Sequence, residues 1–179
     1  MLAHYSTGKT ILNTFCFTGG FSVYALQAGA ANICSVGISE KAVQLAAENA
    51  TLDSTGKNHT TIAADIPKYL KNNKEAYDIV VLDTPAFAKN LCKKHQAAMG
   101  YKRLNQLGIQ TVKPGGLLFT FSRSQVIDET LFANTITATG IKAGRNARIL
   151  HRLGQNPDHP VSLFHPEDHY LKGLVLLID

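Results

Sequence analysis

Short apolar runs alternate along the chain with stretches whose apolar positions recur every three or four residues, the pattern of strands and helices taking turns. The first run, Thr10–Phe15, leads through Thr18-Gly19-Gly20 into a helix over about Phe21–Ala28 that stops at Gly29. Asn32–Gly37 reads as a second strand. Ser39 can cap the helix after it, Glu40 suits that helix's positive end, and Val43, Ala46, Ala47 and Ala50 share one face. Thr60–Ala64 is a third strand, with Asp65 opening a short helix to Leu70. Tyr77–Leu82 is apolar from Ile79 on, as a central parallel strand should be. A long helix over Gln96–Thr111, a turn at Lys113-Pro114-Gly115-Gly116, a strand at Leu117–Ser122 and a helix from Asp128 through Thr139 follow. The last strands are Arg148–Leu153 and Leu171–Ile178, and only the loop between them, with Pro157, Pro160 and Pro166, lacks a helical pattern. A parallel crossover needs a helix, so these two strands are expected to pair antiparallel. The predicted architecture is α/β: a Rossmann-like, doubly wound sheet of seven strands, mostly parallel, with the last strand antiparallel at its end. Ligands belong at the carboxyl ends of the strands.

Composition narrows the class. With 179 residues, 45% hydrophobic and 17% charged, the chain can bury one core, so residues 1–179 are expected to form a single domain. No apolar run approaches the roughly 18 residues of a membrane span, and Met1–Ser6 does not open a secretory signal. Cys16, Cys34 and Cys92 have no metal spacing and read as reduced thiols in a cytoplasmic protein. His159, His165 and His169, with Asp158, Glu167 and Asp168, crowd the last loop, but their spacing matches no metal site. They are read as lining a substrate cleft, with no metal expected.

The net charge of +5 is unevenly spread: residues 84–127 hold no Asp or Glu, but do hold Lys89, Lys93, Lys94, Lys102, Arg103, Lys113 and Arg123. Such a segment is either the footprint of a nucleic-acid face or a solvated basic surface.

Two segments carry candidate chemistry. Phe15-Cys16-Phe17-Thr18-Gly19-Gly20 joins a strand to a helix, where backbone can approach a ligand and free N–H groups point outward. It is not the dinucleotide G-x-G-x-x-G pattern. Asp83-Thr84-Pro85-Ala86-Phe87 closes the central strand and sets a carboxylate and an aromatic ring where a flipped base could be held, or else begins a Pro turn over a buried Phe. Tyr101 and Lys102 either touch RNA or belong to a packed helix.

Over nearly its whole length the chain resembles the catalytic domain of S-adenosylmethionine-dependent 23S ribosomal RNA methyltransferases that make 5-methylcytosine. The resemblance rests on Leu12–Ser22, Asp83–Lys89, Gly100–Asn105, Lys113–Gly116, Thr120–Gln125, Pro157–Pro160 and Tyr170–Leu174. It implies a class I methyltransferase fold with S-adenosylmethionine as cofactor and RNA, ribosomal above all, as partner. It places Phe15, Cys16, Thr18, Gly19 and Gly20 at the cofactor's methionine part, Gly37, Ile38 and Ser39 at its ribose, and Asp65 with Ile66 at its adenine. It gives Asp83 to the target base as a catalytic residue, counts Asp83 and Pro85 among the cofactor contacts, and assigns Phe87, Lys89, Tyr101, Lys102, Ser122 and Gln125 to the substrate. The family's N-terminal RNA-binding and linker domains are expected to be absent from these residues.

Three positions depart from the family pattern. Gly37 replaces the Asp that binds the ribose hydroxyls, Thr84 replaces a Pro and so is expected to loosen a rigid turn, and Arg123 occupies the place of the nucleophilic Cys. A thiolate adds to C6 of cytosine so that C5 can accept a methyl group, and an always-protonated guanidinium cannot do this. The expectation is therefore a methyltransferase domain impaired for 5-methylcytosine. The alternatives are an inactive RNA- or ribosome-binding paralogue, and an exocyclic-amine N-methyltransferase built on Asp83–Phe87.

Overall fold

The computed structural model describes residues 1–52, 58–87, 91–165 and 170–179. Seven strands form one sheet: β1 (Thr10–Thr14), β2 (Asn32–Gly37), β3 (His59–Ala63), β4 (Tyr77–Asp83), β5 (Val112–Ser122), β6 (Ala147–Leu153) and β7 (Lys172–Ile178). Their order is β3-β2-β1-β4-β5-β7-β6, with β7 antiparallel to both β5 and β6 and the other pairs parallel. The last strand is thus reversed as expected, but it lies one position in from the edge, and β6 is the edge strand.

Among the described residues six α-helices cover the sheet: α1 (Leu2–Ser6), α2 (Gly20–Gln27), α3 (Glu40–Thr51), α4 (Ile66–Asn72), α5 (Lys94–Thr111) and α6 (Glu129–Ala143). Successive strand residues point to opposite faces. Leu12, Val80, Leu82, Leu118 and Leu176 therefore pack with α4, α5 and α6, whereas Ile11, Ile79, Val81, Phe119 and Val175 pack with α1, α2 and α3. Coverage on both faces is why β4 and β5 read as unbroken apolar runs.

The local signals hold. Ser39 Oγ accepts from the Ala42 amide, Asp128 Oδ1 from that of Leu131, and Gly29 turns left-handed just after α2. Two features differ from the sequence reading. The short helix α1 was not expected. Lys113–Gly116 is a bulge inside β5 rather than a separate turn: the five steps from Val112 to Leu117 face the two from Tyr77 to Ile79. Gly115 takes φ +76° there, and a Cβ on Gly116 would meet the Asp78 carbonyl at 2.7 Å. No described helix is long and apolar enough to cross a membrane.

Candidate functional site

The carboxyl ends of β1, β2, β3, β4 and β5 bring most of the candidate residues to one edge. After β1 the chain turns sharply, with Phe15 at φ 55° and Phe17 at φ 45°. The Cys16 amide donates to the Val36 carbonyl (3.1 Å), and the Gly19 amide to that of Cys16 (2.8 Å). Asn49 Nδ2 donates to the Thr18 carbonyl at 2.9 Å, tying the turn to α3. Gly19 is required: its φ is +83°, and a Cβ there would lie 2.9 Å from the Ala46 Cβ. Gly20 has open space around it, and the first N–H groups of α2 have no partner within the helix. Beneath the turn runs a chain of short side-chain hydrogen bonds. Asn13 Nδ2 donates to Ser22 Oγ (2.8 Å), Ser22 pairs with Ser35 (2.7 Å), and Ser35 with His59 Nε2 (2.7 Å). Burial holds the His59 pKa below its ordinary value.

At the end of β2, Gly37 is crowded. A Cβ there would lie 3.0 Å from Val43 Cγ2 and 3.2 Å from Cys16 Sγ. Ile38 is 77% exposed at the mouth, and Ser39 is engaged as the α3 cap. Asp65 caps α4 by accepting from the Lys68 amide at 3.0 Å, while the Ile66 side chain is buried in the core and only its backbone can face a ligand.

Asp83 ends β4, and Arg123 follows β5 directly. Arg123 Nη2 donates to both carboxylate oxygens, at 2.9 and 2.6 Å. The arginine side chain is half exposed, that of Asp83 only 16%. Burial pushes the Asp83 carboxyl above its ordinary pKa, against the opposing pull of the Arg123 charge. Thr84 does not loosen the turn: it is wholly buried, and its hydroxyl donates to the Phe121 carbonyl at 2.7 Å, tethering β4 to β5. Ser122 and Ser124 are buried on either side of Arg123. Lys172, 4% exposed, donates from Nζ to the Ser124 carbonyl at 2.8 Å and so pins this segment. Burial lowers its pKa below the usual lysine value. Lys172 and Arg152 were missed in the sequence reading. The available signal for Lys172 was a lone charge opening an apolar strand.

The substrate-side expectations separate. Phe87 is 38% exposed, sits on Gly100 and meets Tyr101 edge-on with ring centroids 4.7 Å apart. Tyr101 is 0% exposed and packs against Phe132, so it supports Phe87 from below and offers no surface to RNA, contrary to expectation. Ser122 is likewise buried, Lys102 is half-buried, and Pro85 and Gln125 are exposed. Lys89 lies outside the described residues, as do Glu167, Asp168 and His169. The basic segment does not make one face: Lys113 pairs with Asp78 (3.1 Å) at the amino edge, and Lys94 with Asp128 (3.5 Å). Among the described residues no group of three His, Cys, Asp or Glu could hold a metal.

A cavity of about 700 Å³ opens beside Asp83 and Arg123, within the usual range for ligand pockets. Phe119 and Phe121 line its apolar side, and Arg152, Gln155 and Asn156 its polar side.

Comparison with known proteins bears on the family. The family model for S-adenosylmethionine-dependent methyltransferases matches residues 2–165. The chain is 40% identical over 178 residues to ribosomal RNA large subunit methyltransferase I of Aeromonas hydrophila, covering 97% of this chain and 45% of that protein. It is 42% identical over 176 residues to the protein of the same name from Tolumonas auensis, covering 96% and 44%. The chain thus spans less than half the length of these relatives. Among solved structures, a methyltransferase complexed with SAH superposes with a TM-score of 0.82 at 23% identity, over 98% of this chain and 47% of the other. A SAM-dependent methyltransferase from Streptococcus mutans gives 0.81 at 22%, over 98% and 46%. Those two likenesses concern the fold; with the family match across most of its length, the chain belongs to the S-adenosylmethionine-dependent methyltransferases.

Proposed function

We propose that residues 1–179 act as one methyltransferase domain that holds S-adenosylmethionine and ribosomal RNA at the carboxyl edge of the sheet, and that this domain is impaired in forming 5-methylcytosine. The residues present suit the cofactor in all but one respect. The Gly19–Gly20 turn leaves open backbone at Gly20, the first amides of α2 have no partner within the helix, and Ile38 and Asp65 stand at the neighbouring strand ends. The ribose carboxylate is missing at Gly37. A charge-assisted hydrogen bond contributes about 1.5–3 kcal/mol, so cofactor binding is expected to be some 10–150-fold weaker than with that carboxylate in place. When bound, S-adenosylmethionine supplies an electrophilic methyl group.

The observation that carries the reading is the Arg123–Asp83 pair. A base-orienting carboxylate is already engaged by a fixed cation, 2.6 Å away, at the position where cytosine-C5 chemistry needs a thiolate. Neither buried cysteine substitutes: Cys16 is packed against Gly37, with its thiol pushed up to about 11 by burial, and Cys34 lies within β2. The same pair favours a second reading, in which the domain binds RNA without methylating it, since it stabilises a charged, unreactive arrangement.

Mass spectrometry of nuclease-digested ribosomal RNA, incubated with labelled cofactor, tests both. The unaltered chain should form no 5-methylcytosine, and Arg123→Cys should restore a trace. Methylated cytosine from the unaltered chain would show that another residue, Cys92 first, supplies the nucleophile. A methylated purine would move the chemistry to an exocyclic amine. No product from either chain would leave the binding reading.

A further inference from the structure

We propose that His59 is a positioning residue for the turn after β1: as a neutral ring it anchors, through Ser35, the hydrogen-bonded chain that holds Asn13 and the start of α2 in place. This rests on the reading above in which that turn meets the methionine part of S-adenosylmethionine.

The chain links four elements. Asn13 and Ser35 are cross-strand partners in β1 and β2, Ser22 lies in the first turn of α2, and His59 opens the edge strand β3. Asn13, Ser22 and Ser35 are buried in a layer otherwise built from Ile11, Ile33 and Ala25. Apolar side chains would need no partners there; a satisfied polar chain instead specifies one arrangement of the elements it joins. Asn13 stands just before Thr14 and the left-handed Phe15, and Ser22 just after Gly19 and Gly20, so the chain ties together both arms of the turn.

Its protons run one way. Asn13 Nδ2 donates to Ser22 Oγ (2.8 Å). Among the described residues Ser22 has no acceptor besides Ser35, so its hydroxyl donates to Ser35 Oγ (2.7 Å), and Ser35 donates in turn to His59 Nε2 (2.7 Å). His59 therefore accepts at Nε2 and carries its proton on Nδ1. A second proton makes Nε2 a donor. Both hydroxyls then have to reverse, and Asn13 has to turn its amide to offer Oδ1, which is buried without a partner among the described residues. The disturbance ends at the residues that carry the turn. Burial alone holds the His59 pKa below its ordinary value. From α3, packed on β3, the charged groups are Glu40, Lys41 and Glu48, and from β2 the titratable group is the Cys34 thiol, which meets Tyr69 on the other face of the sheet. Among the described residues none of these pairs with the ring.

The test is calorimetry with S-adenosylmethionine on the full chain at pH 7 and pH 5, with nitrogen NMR of the histidine rings. Between these pH values the cofactor's carboxylate and ammonium largely keep their charges. The neutral ring favours binding, so affinity is full above the His59 pKa and falls as pH drops through it. A coupling of ordinary size weakens the parent at pH 5 by at least about fivefold, and by reciprocity the bound cofactor lowers the His59 pKa further. NMR should show His59 protonated on Nδ1 at pH 7. His59→Gln supplies an acceptor near the place of Nε2 that does not titrate, so it should keep the affinity of pH 7 and lose the fall at pH 5. Ser35→Ala cuts the chain and should weaken binding at both pH values, with His59 still titrating. Equal parent affinity at pH 7 and pH 5, or a neutral ring protonated on Nε2, overturns the role of His59 and leaves the cofactor reading standing. A fall at pH 5 that persists in His59→Gln also overturns it and moves the titration to Asp83, whose carboxyl is itself raised by burial. Failure of the parent to bind the cofactor at pH 7 overturns both.

Discussion

Replacing Gly37 by Asp tests whether the edge of β2 meets the cofactor's ribose. Supplying the carboxylate should contribute about 1.5–3 kcal/mol, or 10–150-fold in affinity for S-adenosylmethionine. The local packing opposes it. The new Cβ would sit 3.0 Å from Val43 Cγ2 and 3.2 Å from Cys16 Sγ, both closer than ordinary contact. Overpacking of this kind costs typically 1–3 kcal/mol and is relieved by displacing Cys16, hence the turn expected to hold the methionine part. Gly37→Asp alone should therefore tighten binding less than tenfold and lower the melting temperature by about 2–4 °C for each kcal/mol of strain. Adding Cys16→Ala removes one of the two close contacts and leaves Val43 to shift by a few tenths of an ångström. The double variant should recover much of the melting temperature and bind 10–100-fold more tightly than the parent. Titration calorimetry and thermal unfolding on the parent, Gly37→Asp, Cys16→Ala and the double variant measure both quantities. A full gain from the single variant with no loss of stability would refute the crowding argument, and an unchanged affinity in the double variant would remove the ribose from this edge.

Other outcomes follow from named contacts. Burial pushes the Asp78 carboxyl up, but the Thr10 hydroxyl and amide and the Lys113 ammonium outweigh it and hold its pKa down at about 2. Its folded value lies below the unfolded one, so the stability it contributes is present above about pH 4 and lost as pH falls towards 2; Asp78→Asn should abolish that part of the acid sensitivity in urea unfolding between pH 5 and 2. Thr84→Val removes a buried hydrogen bond to the Phe121 carbonyl and should cost about 1–2 kcal/mol, read as a lower urea midpoint; no change would mean that Thr84 does not tie the two strands. If residues 89–94 meet RNA, changing Lys89, Lys93 and Lys94 together to Ala should flatten the salt slope by up to about 2. Lys113→Ala, at the opposite edge, should leave the slope alone.

What the sequence determined by itself is whatever depends on near neighbours. Alternation and helical spacing located the strands, because burial on one face or both follows directly from period and run length. Ser39, Asp128 and Gly29 marked helix ends because capping is settled within a few residues. Gly19 announced the sharp turn after β1, since no other residue suits φ +83° against the Ala46 Cβ. The reversed strand was legible because the last connection carried no helix. The tertiary structure decided what depends on residues far apart along the chain. Tyr101 and Lys102 are adjacent in sequence, yet the helix turns one wholly into the core and leaves the other half-buried. Thr84 looked like a loosened proline until β5 brought the Phe121 carbonyl within 2.7 Å. Lys113 and Arg123 belong to the same acid-free segment, but β5 carries them to opposite edges of the sheet, one onto Asp78 and the other onto Asp83. Arg152 stands on an edge strand with no local signal, and only its place beside β7 sets it at the cavity. Each of these depends on which chemical group a distant segment delivers, and local pattern carries no information about that.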